Sequence, residues 1–189
     1  LDNINLEAAN ANKVLVTNTP GVLNMAVADM ALGLLLSLAR RINEGDQLTR
    51  RGGFKGNPFP LLWGSDLAGE TIGIIGMGRI GREVAKRCNS FNLKVVYFNR
   101  SRIEKKTENA LKVNFLNLDK LLEVSKFIIL LCPLNKDSYH LINSAKIEIM
   151  RKDAYLINIA RGPIVDENAL VEALIAKRIA GAGLDVYEN

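Results

Sequence analysis

Gly73-Ile74-Ile75-Gly76-Met77-Gly78-Arg79-Ile80-Gly81 carries an apolar, β-branched run straight into the pattern G-x-G-x-x-G, and Val84 and Ala85 continue it at helical spacing. Each glycine has its own physical task. Gly76 permits a tight turn, Gly78 lets the backbone approach a diphosphate, and Gly81 lets the following helix pack on the strand. The amino terminus of that helix brings open N–H groups and the positive end of a dipole, so the backbone at Met77, Arg79 and Ile80 also faces the anion. A plain strand-to-helix turn is the alternative, but a strand before the glycines and a helix after them are the context a phosphate turn needs.

Outward from this turn the chain alternates short β-rich runs with helical ones. Strands are predicted over Thr71 to Ile75, Lys94 to Phe98, Val113 to Phe115, Lys126 to Leu131, Tyr155 to Ile159 and Ala180 to Val186. Helices are predicted near Arg79 to Ser90, Leu118 to Val124, Ser144 to Met150 and Asp166 to Ala176. The residues between Lys94 and Val113 are too polar to give a clear period. Six strands separated mostly by helices define an α/β domain, a doubly wound parallel sheet of the Rossmann type with right-handed crossovers and strand order 3-2-1-4-5-6.

Upstream, Asn5 to Ala11 reads as a helix with asparagine caps, and Val14 to Thr17 as a short strand. Thr19-Pro20-Gly21 breaks the chain, and one long helix is expected from Asn24 to Gln47. Its stretch Val22 to Leu38 is interrupted by Asn24, Asp29 and Gly33, too short and polar to span a bilayer, so a buried or dimer-facing helix is expected and no membrane partner. Gly52, Gly53, Gly56, Pro58 and Pro60 make an irregular loop whose Phe54, Phe59 and Trp63 are expected to bury their rings against a neighbouring helix or subunit.

Composition narrows the function classes. With 189 residues and 48% apolar content the chain can bury a full core. Lys and Arg exceed Asp and Glu by 25 to 20, which suits an anionic small molecule and falls short of a nucleic-acid footprint. Cys88 and Cys132 show neither disulfide nor metal-ligand spacing, which predicts no metal site and a reducing, cytoplasmic setting. The chain begins at Leu1 and stops at Asn189, and both ends are read as cut.

The remaining candidate residues sit at the carboxyl ends of the predicted strands, where ligands of open α/β sheets bind. After the second strand come Asn99, Arg100 and Ser101 in place of the Asp or Glu that usually receives the ribose hydroxyls of NAD. Arg100 can pair with a 2′-phosphate, with Asn99 and Ser101 as hydrogen-bonding neighbours, so NADP is favoured over NAD; Arg100 and Arg102 as solvated turn residues is the competing reading. Cys132 and Pro133 follow the fourth strand, Ile159 and Ala160 the fifth, and Asp185 closes the sixth, where it can accept from a nicotinamide amide or serve as a turn former. Arg161 is the catalytic candidate, since a planar guanidinium can hold a 2-oxo acid by its carboxylate and polarise its carbonyl; an ion pair with Asp166 or Glu167 is the alternative. His140, the single histidine, is read as a surface or capping residue.

Taken together, Asp2 to Ala9, Thr17-Asn18-Thr19-Pro20-Gly21, the glycine motif, Asn158 to Glu167 and Ala180 to Glu188 resemble the D-isomer-specific 2-hydroxyacid dehydrogenase family over nearly the whole chain. The resemblance implies hydride transfer between NAD(P)H and a small 2-oxo or 2-hydroxy acid, with Arg161 binding the substrate. Residues 1–17 would be a remnant of the family's substrate domain, residues 18–189 its nucleotide domain, and the long helix after Pro20 an interdomain helix that also builds a homodimer. The family's acid/base histidine and its glutamate partner would lie beyond Asn189, so Glu188 is not that glutamate. Glyoxylate/hydroxypyruvate reductases with NADPH preference fit best; phosphoglycerate dehydrogenase, D-lactate dehydrogenase and a non-catalytic dinucleotide-sensing module are the alternatives.

Overall fold

A computed structural model describes residues 4–54, 56 and 62–188. Its central feature is a six-stranded, wholly parallel sheet in the order β3-β2-β1-β4-β5-β6. The strands are β1 (Thr71–Ile75), β2 (Lys94–Phe98), β3 (Val113–Phe115), β4 (Phe127–Leu130), β5 (Tyr155–Asn158) and β6 (Gly181–Leu184). The expected strand order and sheet type are therefore the observed ones, with the last three strands one or two residues shorter than expected at one or both ends.

The helices are α1 (Leu6–Ala11), α2 (Asn24–Ala39), α3 (Ile42–Arg50), α4 (Arg79–Ser90), α5 (Lys105–Leu111), α6 (Leu118–Val124), α7 (Ser144–Ile149) and α8 (Glu167–Ile175). Side chains of Asn5, Asn117, Asn143 and Asp166 accept the N–H groups of Ala8, Lys120, Lys146 and Ala169, which places the starts of four helices. One apolar layer joins Ile72, Ile74, Phe127, Ile129 and Ile157 to α2 and α4. The other joins Ile75, Ile128, Leu130 and Leu156 to α6, α7 and α8. Burial of each such side chain contributes about 1.5–3 kcal/mol, and central strands covered on both faces explain the unbroken apolar runs. Helix α2 reaches β6 because Gly183 leaves room: a Cβ there would stand 3.0 Å from Leu38 Cδ1.

Three upstream expectations are corrected, and the link after β2, which had no clear period, proves to hold a helix. The long helix is two helices, broken at Arg40 and at Arg41, which adopts a left-handed conformation. Ala39 gives its carbonyl to the N–H of Ser65 at 2.7 Å, so the helical ladder stops there. Arg41 is held by Glu44, to which it donates at 2.6 Å. Residues Val14 to Thr17 form no strand, since no neighbouring strand pairs with them, and Leu15 is 88% exposed. Phe54 and Trp63 are exposed rather than buried, and Phe59 lies outside the described residues. Finally, the polar link after β2 holds α5, whose anchor is a buried carboxylate rather than an apolar stripe. Glu108 accepts from Tyr97 Oη at 2.8 Å, from Arg102 at 2.7 and 2.8 Å, and from Lys105 at 3.0 Å.

Candidate active site

The carboxyl ends of β1, β2 and β4 open onto a cavity of about 540 Å³. Its floor is Ile75, Gly76, Met77 and Gly78; one wall is Phe98, Asn99, Arg100 and Ser101, and the other runs through Leu131, Cys132 and Pro133 to Asn135, Asp137, Ser138 and Leu141. Eight of the expected cofactor residues are thus gathered around one space: Gly76, Met77, Gly78, Asn99, Arg100, Ser101, Cys132 and Pro133.

The glycine turn is built as its spacing requires. Gly76 has φ +110°, and a Cβ on it would meet the Cys132 N–H nitrogen at 2.6 Å. A Cβ on Gly81 would come within 2.3 Å of the Gly76 carbonyl oxygen, whereas one on Gly78 would meet nothing within 4 Å. Gly78 is the N-cap of α4 and supplies no capping side chain, so the first-turn N–H groups at Arg79, Ile80 and Gly81 have no intrahelical acceptor. An open cradle backed by uncapped donors fits the diphosphate of a dinucleotide.

Met77 and Asn99 contribute shape. The Met77 side chain is buried in the core, and its N–H donates to Asn99 Oδ1 at 2.7 Å, stitching the end of β2 to the glycine turn. Of the two arginines after β2 only Arg100 lines the cavity, because Arg102 turns away to Glu108 and lies over the Phe115 ring at 5.7 Å. Arg100 reaches across the mouth to Asp137, donating from Nη1 at 3.2 Å. Arg79 points into a separate groove shared with Arg82, Lys86 and Lys106, and Ile80 packs against the core. Burial pushes the Cys132 thiol up to about 11.

Farther along the same sheet edge, the turn after β5 carries Ile159, Ala160 and Arg161, and Asp185 follows β6; none of them lines the cavity. Ile159 and Ala160 are buried, while Arg161 is exposed and donates from Nη1 to the Ala160 carbonyl at 2.7 Å. Asp166 is occupied as the cap of α8, and the Glu167 carboxylate accepts the Glu188 N–H. Gly162 lets the segment after β6 lie directly on this turn, since a Cβ there would overlap the Tyr187 carbonyl carbon at 1.9 Å. Asp185 donates its N–H to the Asn158 carbonyl at 3.0 Å, and its side chain is exposed.

His140 caps no helix. Its ring meets the Glu188 carboxylate through Nε2 at 2.9 and 3.1 Å and stacks on Tyr139 with centroids 4.0 Å apart. The lip formed by Asn135, Asp137 and Ser138 was not expected from the sequence. Its signal was the polar turn Asn135-Lys136-Asp137-Ser138 following Pro133. Among the described residues no cluster of three or more His, Cys, Asp or Glu side chains is arranged to hold a metal, and no helix is long and apolar enough to cross a membrane.

Residues 32–189 match the family model for the D-isomer specific 2-hydroxyacid dehydrogenase, NAD binding domain. This chain belongs to that family. It is 49% identical to a glyoxylate reductase of Pyrococcus horikoshii over 100% of its own length and 57% of the relative's. Among solved structures, a glyoxylate reductase from Paecilomyes thermophila matches with a TM-score of 0.88 at 36% identity, covering 100% of this chain and 56% of that one. A D-lactate dehydrogenase from Aquifex aeolicus, complexed with NAD and lactic acid, matches with a TM-score of 0.89 at 31% identity over 100% and 56% of the two chains. The chain therefore spans somewhat more than half the length of the relatives it matches.

Proposed function

We propose that this chain is the dinucleotide-binding part of an oxidoreductase that moves a hydride between NAD(P)H and a small 2-oxo or 2-hydroxy acid of the D series, with glyoxylate or hydroxypyruvate reduction and NADPH as the preferred pairing. The observation that carries the reading is the cavity floored by the glycine turn, which leads into the uncapped first turn of α4, and walled after β2 by Asn99, Arg100 and Ser101 with no acid among them. Diphosphate oxygens would lie on the N–H groups at Gly78 to Gly81, and Arg100 and Ser101 would receive a ribose 2′-phosphate. Bound in this way, the nicotinamide supplies or takes the hydride. Arg161 would grip the substrate carboxylate and polarise its carbonyl, and Asp185 would accept from the carboxamide. Residues 1–17 would belong to a substrate-facing unit and residues 18–189 to the nucleotide unit.

Val22, Leu23, Met25, Met30, Ile42 and Trp63, in or near α2 and α3, are exposed apolar residues, which supports a homodimer formed through this part of the surface. Sedimentation of the protein tests this, and a monomer at micromolar concentration refutes it. This chain by itself is expected to bind cofactor and to catalyse poorly or not at all, so the activity is tested by assaying the full-length protein with glyoxylate, hydroxypyruvate, pyruvate and 3-phosphohydroxypyruvate against both cofactors. Turnover of the first two with a lower KM for NADPH is expected. Absence of turnover on both, or a clear NADH preference, refutes the corresponding half of the reading.

A further inference from the structure

We infer that Asp137, on the wall opposite β2, is a determinant of cofactor discrimination that works against the 2′-phosphate by holding Arg100; the inference rests on the dinucleotide reading of the cavity. Arg100 lies at the end of β2, and Asp137 lies in the loop after β4, 37 residues away in sequence, yet their side chains meet at 3.2 Å across the mouth. Both groups are about three-quarters exposed, so the pair itself is weak and a better ligand for the guanidinium displaces it.

The position of Asp137 is set by its loop. Asn135 Oδ1 accepts the N–H groups of Asp137 and Ser138 at 2.9 and 3.2 Å. Ser138, itself buried, donates its hydroxyl to the Pro133 carbonyl at 2.7 Å and accepts the Asn135 N–H at 2.8 Å. The backbone at Asp137 is therefore held at the mouth by a hydrogen-bonded turn, so its charge remains close to Arg100's place when Arg100 leaves it. A 2′-phosphate drawing on Arg100 must break this pair and then sit near the negative charge it leaves behind. A 2′-hydroxyl is neutral and carries no such penalty. The chain thus selects between the two cofactors with opposed charges on two walls, Arg100 favouring the phosphate and Asp137 tempering it.

The test is a fluorescence titration of the full chain with NADPH and with NADH, comparing wild type, Asp137→Asn, Asp137→Ser, Arg100→Gln and the double variant Arg100→Gln/Asp137→Asn. Either Asp137 variant is expected to tighten NADPH roughly 3–5-fold while leaving NADH within about 2-fold, the upper part of the range expected for an exposed charge pair. In the Arg100→Gln background the gain is expected to shrink. Equal changes for both cofactors, no change, or an undiminished gain without Arg100 overturn the inference. Failure of the wild-type chain to bind either cofactor overturns instead the dinucleotide reading beneath it.

Discussion

The buried side chain of Asn158 closes the turn that carries Arg161, donating from Nδ2 to the Arg161 carbonyl at 2.9 Å while its Oδ1 accepts the Ala160 N–H at 3.1 Å. Two backbone groups that β5 leaves open at its carboxyl end are thereby satisfied by one residue that is 1% exposed. Asn158→Ala would strand the Ala160 N–H, while the Arg161 carbonyl keeps the Ile164 N–H at 3.2 Å, and leaving one buried polar group unpaired costs about 1–3 kcal/mol. We expect this variant to lose at least about 1 kcal/mol in urea denaturation, and a loss too small to measure would show that the turn is held by other contacts.

The three motif glycines predict three different phenotypes. Gly81→Ala sets a Cβ against the Gly76 carbonyl oxygen, a backbone atom that cannot move without opening the turn. Overpacking of this kind costs roughly 1–3 kcal/mol, so both stability and cofactor affinity should fall. Gly76→Ala adds an unfavourable left-handed conformation to its own clash with Cys132 and should be at least as damaging. Gly78→Ala meets only open space, so stability should drop by no more than about 1 kcal/mol, the cost of a poorer N-cap. NADPH affinity should nevertheless fall tenfold or more, at a cost of roughly 1.4 kcal/mol, because the new methyl occupies the path of the diphosphate. Thermal melts paired with cofactor titrations separate the classes; a Gly78→Ala protein that binds normally would remove the diphosphate from that spot.

How far the sequence spoke for itself depended on the range of the deciding interaction. The bounds of β1, β2 and β3 were legible because each is a short β-rich run, and the asparagine cap of α1 because it is local. The break after Ala39 was not legible, because it is made by Ser65, a partner 26 residues away. Helix α5 hid in a polar link because it buries a single apolar residue, Leu111, beside a carboxylate satisfied by Tyr97, Arg102 and Lys105, which gives no apolar stripe. At the cavity, every motif residue on the floor was readable, while Asp137 was not. Its turn has a local signature, but its meeting with Arg100 exists only once β2 and β4 have been placed on either side of β1.

Glu108 makes a pH prediction. The Arg102 guanidinium above all, with help from Tyr97 and Lys105, holds its carboxyl down to about 2 from a usual 4.5. A carboxylate whose folded value lies below its unfolded one contributes stability that is complete above about 4.5 and is lost as the pH falls toward 2. Glu108→Gln cannot titrate, so its deficit relative to wild type should be constant at neutral pH and narrow as the solution is acidified through that window. Urea denaturation of both proteins between pH 7 and pH 2.5 checks this, and a deficit independent of pH would show that the carboxylate's charge does not matter to α5.

The two thiols should be poor nucleophiles for the same physical reason in different places. Burial pushes Cys88, at 0% exposure on the buried face of α4, up to about 12, and pushes Cys132, in the cavity wall, up to about 11. Because the thiolate is the reacting species, raising the Cys132 value from the usual 9.0 to about 11 lowers its reactive fraction near neutral pH roughly 100-fold. Native protein at pH 7.5 should resist iodoacetamide at both positions, and Cys132 should begin to alkylate only as the pH approaches 11. Denatured protein should react at both cysteines with ordinary rates. Mass spectrometry of the alkylated peptides reads the two sites separately, and rapid labelling of Cys132 at pH 7.5 would mean that the wall between β4 and the glycine turn opens far more than its packing implies.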